Sequence, residues 1–173
     1  MIIKGERVYL RALEEKDCDM LLELINDPET EKMIGGYSYP TSSAQQRDWL
    51  LNKANASNVL RCAIVPYDNN DEAVGTVILT DIDEKNGTAE IHTKISEKAR
   101  GKGYGVAGIS TTVDYAFKEL RLNCIYCVIV SYNAASIKMV ENCGFVKEGI
   151  LRSRLYKDGS YQDLATFSIV KND

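Results

Sequence analysis

The sequence predicts an α/β protein with one mixed, mostly antiparallel sheet and helices on both faces. Apolar and polar residues alternate in several short runs, as is typical of strands. Two of these runs flank a helical pattern, as in a β-α-β crossover, which makes them parallel neighbours. The other runs are joined by short turn signals or by helical stretches. Because no linker pattern interrupts the 173 residues, we expect one domain spanning 1–173.

The first half of the chain is predicted to begin with a strand at 7–13, where Val8 and Leu10 share one face. Asp17 is placed to cap the helix that follows. That helix has an apolar stripe formed by Met20, Leu21, Leu24 and Ile25. The remaining predicted elements of this half are, in order, helices at 29–34 and from Thr41 or Ser42 to about Asn55, and strands at 58–67 and 73–83.

The second half begins with Asn86-Gly87, the sharpest turn signal in the chain, which leads into a strand at 88–96. A glycine-rich stretch at 100–105 then opens an amphipathic helix at 106–120. The remaining predicted elements are a strand at 123–131, a helix at 134–142 with Gly144 as its left-handed stop, and antiparallel strands at 145–156 and 161–171 around the turn Asp158-Gly159.

The glycine-rich stretch Arg100-Gly-Lys-Gly-Tyr-Gly105 lies between the predicted strand 88–96 and the predicted helix 106–120. Its glycines allow backbone conformations that are closed to other residues and let a ligand approach closely. The first N–H groups of a helix have no partner within the helix, and the helix dipole is positive there. A strand, a glycine loop and a helix N-terminus therefore predict an anion site, most naturally for phosphate.

Two familiar phosphate motifs fit this stretch poorly. The Walker pattern requires Ser or Thr after the lysine, but Gly103 follows Lys102. The dinucleotide fingerprint is present as Gly103-Tyr-Gly-Val-Ala-Gly108. That fingerprint requires an acidic residue at the end of the next strand, where this chain has Ser131-Tyr-Asn133. Binding of a dinucleotide is therefore disfavoured.

A third pattern, Arg100-x-x-Gly103-x-Gly105, resembles the acetyl-CoA pyrophosphate loop of the GNAT N-acetyltransferases. The run from Asn133 to Phe145 resembles the second signature of that family, a short helix ending in Gly-Phe. Four further stretches resemble its RimJ/RimL-like branch: 6–11, 26–29, 148–152 and 158–163. The matching stretches occur in the family's order and cover nearly the whole chain.

The resemblance implies a GNAT-like fold in which the strands 88–96 and 123–131 are central and splay apart to admit acetyl-CoA. Backbone groups near Ile95 would grip the pantetheine and face the thioester carbonyl. The pyrophosphate would bind the N–H groups of Gly101 to Gly105 and the start of the helix. The implied cofactor residues are Ile95, Arg100, Gly101, Lys102, Gly103, Tyr104, Gly105, Val106, Asn133 and Ser136.

Acetyl transfer to an amine requires a base for the amine and an acid for the leaving thiolate. Glu90 and His92 are two apart on a predicted strand and project from one face. Family members often have a carboxylate at the Glu90 position, so Glu90 is our candidate base, with His92 as a candidate assistant. Many members place the acid, a tyrosine, where this chain has Val140. Ser136 matches a serine of the RimJ/RimL-like branch and is our substitute acid.

Composition narrows the class of protein. A net charge of −4 is unlike that of a general nucleic-acid binder. No apolar run is long enough to span a membrane, and the N-terminus does not resemble a secretory signal, so we expect a cytoplasmic protein.

Cys124 and Cys127 lie three apart on a predicted strand and point to opposite faces. We therefore expect buried thiols and no metal. Edge strands and exposed aromatic residues allow a homodimer.

The sequence thus predicts an acetyl-CoA-dependent N-acetyltransferase. The acceptor is a primary amine and stays open between a protein N-terminus, a polyamine, an amino sugar and an aminoglycoside. Tyr37, Tyr39, Trp49 and the turn near Asp158 are candidates to frame it, although Trp49 also fits a core role. The alternative is a non-catalytic acyl-CoA-binding or regulatory module, which the valine at position 140 would permit.

Overall fold

Strands and helices follow one another along the computed structural model, which describes residues 1–36, 39–54 and 58–172. The strands are β1 (Ile3–Lys4), β2 (Val8–Arg11), β3 (Leu60–Pro66), β4 (Gly75–Asp83), β5 (Thr88–Ile95), β6 (Cys124–Val130), β7 (Val146–Lys157) and β8 (Ser160–Val170). The helices are α1 (Cys18–Asn26), α2 (Pro28–Met33), α3 (Ser43–Asn52), α4 (Tyr104–Lys118) and α5 (Ala134–Glu141). Short 3-10 turns precede α1 and follow β5.

All the strands join one sheet in the order β1-β2-β3-β4-β5-β6-β8-β7. Within the described residues, only β5 and β6 pair in parallel, and α4 provides the crossover between them. The other neighbours are antiparallel. The predicted mixed, mostly antiparallel sheet with one central parallel pair is therefore confirmed. β8 inserts between β6 and β7, so the last hairpin folds back against the centre of the sheet.

The parallel pair β5–β6 separates partway along its length. Paired positions run from Thr88↔Cys124 to Glu90↔Tyr126. β5 nevertheless continues to Ile95 and β6 to Val130. The ends of the two strands therefore diverge, as the sequence resemblance implied, and a cleft opens between them.

The two faces of the sheet are covered by different helices. α4 and α5 pack against the larger core cluster, which includes Leu10, Ile64, Leu79, Ile109 and Phe167. A smaller cluster joins α1 and α3 on the opposite face. There the guanidinium of Arg61, from β3, lies 5.5 Å from the centre of the Trp49 ring. Trp49 is thus part of this packing, which was one of its two predicted roles.

Several predicted details differ from the structure. Asp17 does not cap α1 with its side chain; its carboxylate instead accepts hydrogen bonds from Arg11 at 2.8 and 3.0 Å. Because the Asp17 carboxylate is engaged in this buried ion pair, it does not accept a hydrogen bond from the backbone of α1. The strand β1 was not predicted, because two residues are too few to show alternation. The helix predicted to start at Val106 begins at Tyr104. Tyr37 and Asn55 lie outside the described residues.

Candidate active site

The glycine loop connects the diverging end of β5 to the first turn of α4. Gly101 and Gly103 both adopt left-handed backbone conformations, with φ of 75° and 82°. Gly103 is the N-cap of α4, and its carbonyl accepts a hydrogen bond from the N–H of Ala107 at 3.0 Å. The N–H groups at the start of α4 therefore point into the cleft end, where a helix favours negative charge.

A cavity of about 1000 Å³ occupies the cleft between β5 and β6. It extends from the glycine loop to α5 and is bordered on one side by α2. Most residues predicted to bind the cofactor line it: Ile95, Arg100, Gly101, Gly103, Tyr104, Val106, Asn133 and Ser136. A volume of this size is ample for a drug-sized ligand. The structure thus brings the loop, the strand end and the α5 signature into one site.

Gly105 and Lys102, also predicted to bind the cofactor, are not among the residues that line this cavity. A Cβ atom at Gly105 would lie 2.5 Å from the sulfur of Met139, so this glycine allows α4 to pack closely against α5. The carbonyl of Lys102 accepts a hydrogen bond from the Arg7 guanidinium at 3.1 Å. That contact ties the loop to the segment preceding β2.

Arg100 lines the cleft, but its guanidinium is already engaged by the protein. Nη2 donates to the carboxylate of Asp27 at 3.0 Å and to the hydroxyl of Thr30 at 2.7 Å. Nε donates to the carbonyl of Ile95 at 3.2 Å. Bonds from Thr30 and Arg100 outweigh the cost of burial and lower the pKa of Asp27 to about 2. Arg100 therefore connects the end of β5 to α2.

Helix α2 is held over the cleft by its last carbonyl groups. The carbonyl of Glu31 accepts from Lys157 at 2.9 Å, that of Lys32 from the Tyr132 hydroxyl at 2.6 Å, and that of Met33 from the Asn133 amide at 2.8 Å. Lys157 also pairs with the Glu31 carboxylate. The last carbonyls of a helix lack partners within it, and here ammonium, hydroxyl and amide donors satisfy them; the Glu31 carbonyl also accepts from the Ile34 N–H at 3.4 Å. Asn133 was selected from the sequence for the cofactor, whereas its contact with α2 and the roles of Tyr132 and Lys157 were not predicted.

The α5 signature residues have distinct roles in this structure. Asn133 is 7% exposed, and its side chain uses both ends: the amide nitrogen contacts α2, and the oxygen accepts from the Ser136 N–H at 3.0 Å. Asn133 thereby caps α5 and positions Ser136. Val140 is 3% exposed within the core cluster, so its position provides no hydroxyl group to the cleft.

Glu90 and His92 project from the same face of β5, as predicted. Their side chains approach to 3.8 Å, and His92 Nε2 lies 3.0 Å from the Thr80 hydroxyl. The Glu90 side chain is 20% exposed and the His92 side chain 46%. Neither residue lines the cavity itself. Glu90 sits at the last paired position of β5 and β6, where the cleft begins.

Tyr126 is the residue of β6 paired with Glu90, and no sequence pattern singles it out. Burial, together with the nearby Glu90 carboxylate, raises the pKa of Tyr126. Its phenol therefore keeps its proton at neutral pH and can donate a hydrogen bond beside the candidate base. Only the register of the parallel pair places these two residues together.

Two negative findings concern the described residues only. No group of three or more His, Cys, Asp or Glu side chains among them is arranged to hold a metal ion. The part of the chain that the structure describes also contains no helix long and apolar enough to cross a membrane. The five cysteines, all within the described residues, form no disulfide, and burial raises the pKa of Cys62 to about 11 and that of Cys127 to about 12.

The splayed parallel pair, the glycine loop at the N-terminus of α4 and the α5 signature define an acetyltransferase of the GNAT class. The family model of the acetyltransferase (GNAT) domain matches residues 7–146, and the chain belongs to this family. The protein is therefore an acetyltransferase, and its cosubstrate is acetyl-CoA.

Two named relatives and one solved structure match this chain over nearly its full length. The "Spermidine N(1)-acetyltransferase" of Vibrio cholerae is 31% identical over 168 residues, which cover 97% of this chain and 95% of that protein. The "Putative ribosomal N-acetyltransferase YdaF" of Bacillus subtilis is 31% identical over 176 residues, covering 98% and 94%. A crystal structure of spermidine N-acetyltransferase from Vibrio cholerae in complex with CoA and spermine superimposes with a TM-score of 0.86 at 26% identity, covering 96% of each chain.

Proposed function

We propose that this protein is a RimJ/RimL-like N-acetyltransferase that moves an acetyl group from acetyl-CoA to a primary amine by direct attack. One observation carries the proposal: a single cavity joins the start of α4, the free end of β5 at Ile95 and the start of α5 at Ser136. The candidate base Glu90 lies on β5 three residues before Thr93, the first β5 residue that lines this cavity.

The amine nitrogen attacks the thioester carbonyl, so a C–N bond forms and the carbonyl oxygen takes on negative charge. Backbone groups near Ile95 face this oxygen and stabilise it. The intermediate then collapses with cleavage of the C–S bond, and the CoA thiolate leaves. Glu90 takes a proton from the amine, through one water. Ser136 donates its hydroxyl proton to the thiolate and is reprotonated from solvent, to which Glu90 returns its proton. No covalent intermediate with the protein is required.

Ser136 is favoured as the acid because most other hydroxyl groups that line the cleft already donate hydrogen bonds within the protein. The hydroxyls of Thr30, Thr93 and Tyr132 already donate to Asp27, to the Thr76 carbonyl and to the Lys32 carbonyl. Those of Ser136 and Tyr104 form no hydrogen bond within the described residues, and both residues line the cavity. Ser136 is also fixed at the start of α5 by Asn133.

We expect Ser136→Ala to lower kcat by about 10²-fold while acetyl-CoA affinity stays within a few-fold of the parent. Leaving-group protonation matters only in the transition state, and a positioned acid contributes about 10²–10⁴-fold. Steady-state kinetics and calorimetric titration separate the two effects. Tyr104→Phe is the matched control, since it removes the other unengaged hydroxyl. Loss of turnover in Tyr104→Phe alone would assign the acid to Tyr104.

The experiment that tests the function is a panel of primary amines offered with acetyl-CoA, with release of the free thiol as the readout. The panel contains peptides, polyamines, amino sugars and aminoglycosides, because the relatives' names point to more than one acceptor. We expect thiol release that depends on an added amine and mass spectra that show the acetylated product. Tight acetyl-CoA binding without turnover across the whole panel would instead identify a binding module.

A further inference from the structure

Lys94 is a cationic residue of the cleft that the proposed mechanism does not use. It lines the cavity beside Ile95, near the end of β5. Strand alternation places its side chain on the same face as Glu90 and His92. This is the face covered by α1 and α3, opposite α4, because the core residues Ala89 and Ile91 occupy the alternate positions. Lys94 therefore lies on the side of the sheet from which Glu90 would reach an acceptor.

The acidic residues of α2 and of its N-cap are already paired, and Lys138 is a second cation that lines the cavity, from α5. Asp27 contacts Arg100 at 3.0 Å, Glu29 contacts Lys32 at 3.3 Å, and Glu31 contacts Lys157. Lys94, by contrast, forms no ion pair or side-chain hydrogen bond with any described residue. It is only partly exposed, and its burial lowers the pKa of its ammonium group. A partly buried cation without a partner is unfavourable until an anion reaches it.

We propose that Lys94 is a specificity-determining residue, which selects acceptor amines that carry a carboxylate and disfavours polyamines. This inference rests on the proposed acetyl transfer and names the class of acceptor for it. A carboxylate on the acceptor would form a charge-assisted hydrogen bond with the Lys94 ammonium group. A second ammonium group on the acceptor would meet like charge at the same place. The amine itself would remain within reach of the thioester next to Ile95.

Three acceptors of matched length isolate this effect: propylamine, 4-aminobutyrate and 1,3-diaminopropane. Each has a primary amine followed by three methylene groups, which end in hydrogen, a carboxylate or an ammonium group. For the parent enzyme we expect kcat/KM to be highest for 4-aminobutyrate and lowest for 1,3-diaminopropane. Each step should be roughly ten- to hundredfold, the range expected of one hydrogen bond to a charged group.

Lys94→Met should remove most of this discrimination, and Lys94→Glu should reverse the order of the two charged acceptors. Lys98→Met is the matched control, because Lys98 is an exposed lysine of the following 3-10 turn and does not line the cavity. The control should keep the parent's order. Calorimetric titration of acetyl-CoA should give a dissociation constant within a few-fold of the parent for all three variants.

Binding of the same three amines to the enzyme saturated with CoA provides a readout that does not need turnover. The order of the dissociation constants should match that of kcat/KM. Failure of the proposed function would appear as no thiol release with any amine, while this binding order would still test Lys94. The inference is overturned if the parent binds 1,3-diaminopropane as well as 4-aminobutyrate. It is also overturned if Lys94→Met weakens acetyl-CoA binding and leaves the acceptor order unchanged.

Discussion

Replacing Gly103 with valine is expected to raise the dissociation constant of acetyl-CoA by about 10²–10⁴-fold. Gly103 has a φ of 82°, which a β-branched residue rarely adopts, and it is the N-cap of α4. The substituted loop would turn its N–H groups away from the pyrophosphate, and the new Cβ would lie 2.6 Å from the Arg7 guanidinium, which holds the loop through the Lys102 carbonyl. Loss of two hydrogen bonds to a charged ligand corresponds to roughly 3–6 kcal/mol, which is the basis of this range. Isothermal titration with the purified variant measures it.

Gly159→Val is the matched control for this experiment. Gly159 also has a left-handed backbone, with a φ of 78°, but it lies in the β7–β8 turn and does not line the cavity. A Cβ atom there would meet no atom within 4 Å. We expect a comparable loss of stability in thermal melts and unchanged acetyl-CoA affinity. A folded Gly103→Val protein that bound acetyl-CoA as the parent does would remove the argument for the anion site.

Replacing Glu90 with glutamine should lower kcat by about 10²–10⁴-fold at pH 7, the contribution typical of a positioned acid or base. An alkyl ammonium acceptor has a pKa near 10, so almost none of it is the reactive free base at pH 7. The Glu90 carboxylate lies where β5 and β6 separate and can accept the proton through a water. Glutamine has nearly the same shape but cannot take the proton. Steady-state rates with an acceptor from the panel measure the loss.

The dependence on pH identifies the role of Glu90. As pH rises toward the pKa of the amine, the acceptor loses its proton without help, so the deficit of Glu90→Gln should shrink. His92→Ala should lower the rate far less. Glu119→Gln changes an exposed carboxylate at the other end of α4 and should leave the rate unchanged. A constant rate ratio across the pH profile, or a parent-like rate at pH 7, would move the search for the base to His92.

The fold followed from the sequence because its strongest signals are local. Asn86-Gly87, the alternating run before the loop and the glycines at 101, 103 and 105 all act within a few residues. The exact start of α4 was missed by two residues. Apolar periodicity begins at Val106, whereas the left-handed Gly103 allows the helix to begin at Tyr104. The two-residue strand β1 exists only because β2 pairs with it.

The residues lining the cleft could be predicted less well, because their partners are distant in sequence. Arg100 matches the family loop, yet no local pattern shows that its guanidinium contacts Asp27, 73 positions earlier. Tyr126 acquires its position beside Glu90 from the register of two strands separated by α4. Lys94 is unremarkable on a strand until the sheet and helices bury it. The roles of Glu90 and Ser136 stay predictions.

Helix α2 is fastened to the cleft by side chains from the last third of the chain. The bonds from Tyr132 and Asn133 each span 100 positions in sequence, and those from Lys157 span 126. Contacts between such distant segments close large loops. Closing such loops costs chain entropy, so these contacts form slowly. The wall of the cleft formed by α2 is therefore completed only when both ends of the chain have come together. A ligand that binds only when this wall is complete stabilises the fully folded state. Acetyl-CoA would therefore favour the last step of folding as well as serve as a cosubstrate.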